Sequence, residues 1–133
     1  MNIIIVDDEI DTLNEIEFYV KRYSHFNNIV TCTNPLKALD EAEKLQFDVA
    51  LLDIEMPGMN GLELAEHLLN ISHNMKVAFI TAYNSYATEA FDVNAIDYVL
   101  KPIREERLVR ALDRLISKSL INLQEKEERP ALS

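Results

Sequence analysis

Glycine occurs only twice in the 133-residue chain, cysteine once and tryptophan never. The single cysteine, Cys32, excludes an intramolecular disulfide and any zinc site built from several cysteines, and it suits a reducing compartment. Basic side chains are scarce: 13 Lys and Arg stand against 23 Asp and Glu, a formal net charge of -10. Such a surface repels phosphate backbones, so no direct nucleic-acid binding is expected of this chain. Long apolar runs are missing too. The longest near the N-terminus, Ile3-Ile4-Ile5-Val6, falls far below the roughly 20 residues of a spanning helix, and Asp7-Asp8 follows at once. No membrane association is expected, and the chain reads as a soluble cytoplasmic protein. What is present suffices for a core, since 48% of residues are hydrophobic and 27% charged over a length that fits one domain.

Short apolar runs alternate with amphipathic stretches. Residues 2–6, 28–32, 48–52, 76–81 and 97–100 each read as a buried strand bounded by polar or turn residues. Between them, residues 9–23 carry Ile10, Leu13, Ile16 and Val20 near helical spacing, and 34–45 open on the cap-like Asn34 followed by Pro35. Residues 61–71 and the shorter 84–93 also read as helices, as does 105–118, where Leu108, Ala111, Leu112, Leu115 and Ile116 share one face. Nearly all-apolar strands, each followed by one helix, imply a parallel sheet covered on both faces: a three-layer (βα)5 sandwich. Residues 122–133 lose the apolar period and gain charge, so the expected domain spans 1–121, with a linker or C-terminal tail after it.

In an open parallel sheet, ligands bind beyond the carboxyl ends of the strands. The first strand ends in Asp7-Asp8, the third in Asp53, the fourth in Thr81 and the fifth in Lys101-Pro102. Three carboxylates held at one edge raise one another's pKa or demand a cation, and an all-oxygen cluster suits a hard ion such as Mg²⁺. Taken singly, each residue has a plainer explanation: Asp caps helices and turns, Thr is a common strand residue and Lys a common surface one. Both glycines, Gly58 and Gly61, fall in the loop after Asp53, so positive φ or close backbone approach is needed mainly there, although an ordinary turn fits the local sequence equally well. Met56 and Met59 read as packing residues of that loop; His25, His67 and His73 are scattered and lack metal-ligand spacing; Cys32 reads as buried and inert.

Four motifs together resemble the receiver domains of two-component response regulators over about residues 1–120: Ile4-Ile5-Val6-Asp7-Asp8-Glu9; the stretch from Leu51 through Asp53 to Gly61; Phe79-Ile80-Thr81-Ala82-Tyr83; and Asp97-Tyr98-Val99-Leu100-Lys101-Pro102. The resemblance implies a flavodoxin-like fold with strand order 2-1-3-4-5. It further implies that Asp53 is the phosphoacceptor for a sensor histidine kinase and that Asp7, Asp8, Asp53 and the backbone carbonyl of Glu55 hold Mg²⁺. Thr81 matches the switch hydroxyl and Lys101 the phosphate-pairing lysine. Glu55, Ala82 and Tyr83 match positions that modulate the reaction, and Pro102 matches one able to adopt a cis peptide, although a trans turn is the commoner form.

Such a domain is a phosphoacceptor and not a general catalyst. A haloacid-dehalogenase-type phosphohydrolase uses similar groups, but its nucleophile closes the first strand, and a phosphorylation-independent scaffold would not need the full set of residues. Residues 80–103 resemble receivers that precede LytTR-type DNA-binding domains or related transcriptional output modules, in which case the chain is a truncated or a stand-alone receiver. Movement of Thr81 toward Asp53 would leave space for Tyr98, whose alternative is a static strand tyrosine. A phosphorylation-promoted homodimer is expected on the face made by the fourth helix, fifth strand and fifth helix, where Tyr86, Glu89, Asp92 and Asp97 oppose Lys101, Arg107, Arg110 and Arg114.

Overall fold

The computed structural model describes residues 1–23 and 25–128. Five strands, β1 (Asn2–Val6), β2 (Asn28–Cys32), β3 (Val49–Leu52), β4 (Lys76–Thr81) and β5 (Asp97–Leu100), alternate with α1 (Ile10–Tyr23), α2 (Pro35–Lys44), α3 (Gly61–Ile71), α4 (Ala87–Asp92) and α5 (Glu105–Glu128). The sheet is wholly parallel in the order β2-β1-β3-β4-β5. This is the architecture expected from the alternation of apolar runs and from the resemblance.

Strand side chains alternate between the two faces and so feed two cores. Ile4, Val6, Ala50, Leu52 and Phe79 pack with Ala38 and Ala42 of α2, Leu64, Ala65 and Leu68 of α3, and Ala90 of α4. On the opposite face, Ile3, Ile5, Val49, Leu51, Ile80 and Val99 meet Leu13, Ile16 and Val20 of α1 and Leu108, Ala111, Leu112 and Leu115 of α5. Burial on both faces is why β3 is apolar throughout and shows no polar alternation.

Helix starts follow local chemistry. Asn34 Oδ1 accepts the Lys37 N–H at 2.8 Å, with Pro35 in the first turn. Asn60 and Glu63 form a reciprocal capping box at α3. Helix α1 starts one residue later than expected and α2 is one residue shorter at each end; three other elements also differ from the sequence expectation. Asp48 stands just before β3, where its Oδ2 accepts the Asn2 N–H at 2.8 Å. The helix expected over 84–93 is confined to Ala87–Asp92, because its N-cap, Tyr86, offers no capping side-chain bond. The last helix runs ten residues past its expected end at 118, since 119–128 contain strong helix formers and no glycine or proline. The expected linker or tail over 122–133 therefore begins as helix, and its residues 129–133 lie outside the described residues. Among the described residues, no helix is long and apolar enough to cross a membrane.

Candidate functional site

Register decides which residues meet at the carboxyl edge. Val6 pairs with Leu52 and Leu52 with Phe79, so Asp7 and Asp53 emerge side by side, and Asp53 N–H donates to the Val6 carbonyl at 2.9 Å. Thr81 pairs with Leu100, and the Lys101 N–H donates to the Thr81 carbonyl at 2.9 Å, which starts the Lys101 side chain from the neighbouring strand end. The Lys101–Pro102 peptide is cis.

Lys101 Nζ donates to Asp7 Oδ2 at 2.8 Å and to Asp53 Oδ2 at 3.4 Å. One carboxylate oxygen from each of Asp7, Asp8 and Asp53 lies within 4.8 Å of the others, the one such acidic cluster among the described residues. Asp7 is fully buried, Asp53 keeps 4% of its surface and Asp8 is exposed. Asp7 has a local duty as well, since its Oδ1 accepts the Glu9 N–H at 2.9 Å, so the plain turn explanation holds for part of this one residue. Thr81 is fully buried, with Oγ1 accepting the Tyr83 N–H at 3.3 Å. An open cleft of about 470 Å³ above the cluster is lined by Asp53, Asp8, Glu55, Ala82, Tyr83 and Lys101, among others.

Burial first, and then the charge of Asp7, push the Asp53 carboxyl up to about 6, against the opposing pull of Lys101 and of the Ile54 N–H on its Oδ1. Burial disfavours the Lys101 charge, yet the bond to Asp7 and the charge of Asp53 outweigh it and hold Lys101 above the ordinary lysine value. One ammonium thus serves two of three carboxylates, which leaves the pocket negative. An oxygen-rich, under-neutralised site of this kind fits a hard divalent cation.

Gly61 explains the loop's shape. A Cβ there would lie 1.9 Å from the Asp53 carbonyl oxygen, so only glycine lets α3 start against the strand end, while Gly58 takes φ +84°. Positive φ is not confined to this loop, because Asn94 also adopts it, at 59°. Met56 and Met59 pack into the first core, and His25, His67 and His73 are all exposed. Cys32 is buried, which pushes its thiol up to about 11 and keeps it protonated and inert at neutral pH.

Several residues of the expected dimer face have partners within the chain. Arg107 grips Asp97 through two bonds of 2.8 and 2.7 Å, and Arg114 approaches the same carboxylate at 3.4 Å. Although burial alone would raise it, these guanidinium bonds hold Asp97 below the usual carboxylate range. Asp97 and Arg107 are therefore satisfied within the chain, and Lys101 is turned into the cleft. The Tyr86 hydroxyl is also occupied, donating to Glu55 Oε1. Tyr98 is half-buried with its hydroxyl donating to the Tyr83 carbonyl. No sequence spacing signals the Tyr86–Glu55 contact, which joins residues 31 apart.

Comparison with known proteins identifies the family. The response regulator receiver domain profile matches residues 3–113. The chain is 36% identical over 115 residues to the transcriptional regulatory protein BtsR of Escherichia coli, covering 86% of this chain and 48% of that protein. It is 33% identical over 128 residues to the sensory transduction protein LytT of Bacillus anthracis, covering 96% and 52% respectively. The chain thus spans about half the length of these curated relatives. The crystal structure of the response regulatory domain of mrkE from Klebsiella pneumoniae superposes with a TM-score of 0.82 at 31% identity, covering 90% of this chain and 98% of that one. With the parallel 2-1-3-4-5 sheet and the strand-end cluster in place, the chain belongs to the response regulator receiver domain family, the signalling domain of two-component systems.

Proposed function

We propose that this domain accepts a phosphoryl group on Asp53 from the phosphohistidine of a sensor histidine kinase. In that transfer an Asp53 carboxylate oxygen attacks phosphorus, the P–N bond to the kinase histidine breaks, and the imidazole leaves. The observation that carries this reading is the setting of Asp53: a strand-end carboxylate within reach of Lys101, beside two further acids, at the floor of an open cleft.

Three carboxylates and a single lysine suit Mg²⁺, with Asp7, Asp8, Asp53 and the Glu55 carbonyl as its holders. The cation, when bound, neutralises negative charge on the phosphoryl oxygens. Lys101 is poised to exchange its Asp53 contact for a phosphoryl oxygen, and the Thr81 hydroxyl to bind another. A Thr81 shift toward Asp53 opens space on the side of Tyr98, which couples the site to the surface of α4, β5 and α5.

That surface exposes Phe91 and Leu100 together with Glu89, Asp92 and Arg110, and it supports a phosphorylation-promoted, salt-sensitive homodimer. Residues 122–133 would then connect the receiver to an output domain or effector, of the LytTR type or a related transcriptional kind, and a cytoplasmic location suits both partners. The deciding experiment is labelling by acetyl phosphate with and without Mg²⁺, comparing wild type with Asp53→Asn. Label at Asp53 that requires Mg²⁺ supports the reading; label elsewhere, or full label in excess chelator, defeats it. Sedimentation with and without a beryllofluoride mimic tests the dimer.

A further inference from the structure

Two loops from neighbouring strands line the cleft: the one after β3, carrying Glu55, and the one after β4, carrying Ala82 and Tyr83. A chain of tyrosines joins them. The Tyr98 hydroxyl holds the Tyr83 carbonyl; the Tyr83 and Tyr86 rings meet edge to face at 6.4 Å and 84°; and the Tyr86 hydroxyl donates to the Glu55 carboxylate. Tyr86 is half-buried and packs against the first core, so its hydroxyl is presented from a fixed ring. Glu55 is exposed, lies two residues from Asp53, and lines the same cleft, so only this bond anchors its carboxylate among the described contacts.

We propose that Tyr86 is a positioning residue that holds the Glu55 carboxylate at the rim, away from water attacking the phosphorylated Asp53, and thereby prolongs the phosphoryl group's life. This rests on the phosphoacceptor reading of Asp53. In hydrolysis, the water oxygen bonds to phosphorus, the P–O bond to the Asp53 carboxyl oxygen breaks, and the carboxylate leaves. One proton of the water stays on the departing phosphate and the other passes to a base. A carboxylate freed at residue 55, which lines the same cleft as Asp53, is such a base; when it is tethered to Tyr86 through Oε1, the whole group is held at the rim and its second oxygen cannot swing in alone. Tyr86→Phe keeps the ring and its packing and removes only the tether.

The test compares wild type, Tyr86→Phe, Glu55→Gln and the double variant. Each is phosphorylated with acetyl phosphate and Mg²⁺, freed of donor, and followed by phosphate-affinity electrophoresis, with thermal melting to confirm folding. Tyr86→Phe should lose label at least about threefold faster than wild type, well short of the roughly 100-fold of a fully positioned base. The double variant should decay at the Glu55→Gln rate, because the acceleration needs the freed carboxylate. Label of unchanged or longer life in Tyr86→Phe overturns this inference alone. Equal acceleration with Gln at 55 also overturns it, since that result assigns Tyr86 to loop packing. Absence of label from wild type overturns the phosphoacceptor reading and this inference with it.

Discussion

Replacing Asp53 by Asn should stabilise the cation-free protein, by an amount that depends on pH. The Asp53 carboxyl is raised from 3.8 to about 6, chiefly by burial and then by the charge of Asp7. Because the folded state holds this proton more tightly than the unfolded chain does, wild-type stability is undiminished below pH 4. It falls as pH rises from about 4 to about 6 and is flat beyond. Roughly two pKa units correspond to about 3 kcal/mol. The carboxylate faces an open cleft where solvent screens it, which reduces this to about 1.5 kcal/mol. Asn mimics the neutral carboxyl in shape, so the variant should match wild type near pH 4 and melt about 5 °C higher at pH 8 in chelator. Added Mg²⁺ should reverse the order. A ligand at about a hundred times its Kd contributes about 2.7 kcal/mol to the form that binds it, more than the repulsion of about 1.5 kcal/mol, and Asn removes one of the three carboxylates. Melting by circular dichroism between pH 4 and 8, with EDTA and with Mg²⁺, measures all four corners. An Asp53→Asn variant that melts at or below wild type at pH 8 in EDTA would refute the reasoning, because the cluster would then not be repulsive.

Other expectations follow from single contacts. Gly61→Ala places a methyl against the Asp53 backbone, so urea unfolding should register a loss of about 2 kcal/mol, and equal stability would mean that α3 can back away without cost. Arg107→Ala leaves the buried Asp97 carboxylate with the longer Arg114 contact as its one ion pair, beside the Tyr98 N–H; chemical denaturation should find a loss of about 2 kcal/mol that shrinks as pH is lowered and Asp97 is protonated. Tyr83 lines the cleft and is half exposed, so Tyr83→Ala should admit water and shorten the life of the aspartyl phosphate, whereas unchanged decay would exclude a gating role for the ring.

Much of this protein is written locally. Four of the five strands and the start of α5 sit where the sequence places them, because short runs rich in apolar residues are bounded by polar or turn neighbours. Asn34 and Asn60 announce their helices by capping chemistry that acts over three residues. The edge cluster was legible for a related reason: once the strands are parallel, their carboxyl ends share one side, so Asp7, Asp8, Asp53, Thr81 and Lys101 all fall at one edge of the sheet.

Tertiary structure alone decided which partners these side chains take. Lys101 divides itself between Asp7 and Asp53, and Asp97 pairs with Arg107 of the same chain. Tyr86 crosses to Glu55 from the N-cap of α4. Each choice depends on distances across strands and loops that sequence spacing does not encode. Charged and hydroxyl groups accept many partners, so geometry selects one. Apolar residues in a strand have only the core to enter, and for them the pattern of the chain was enough.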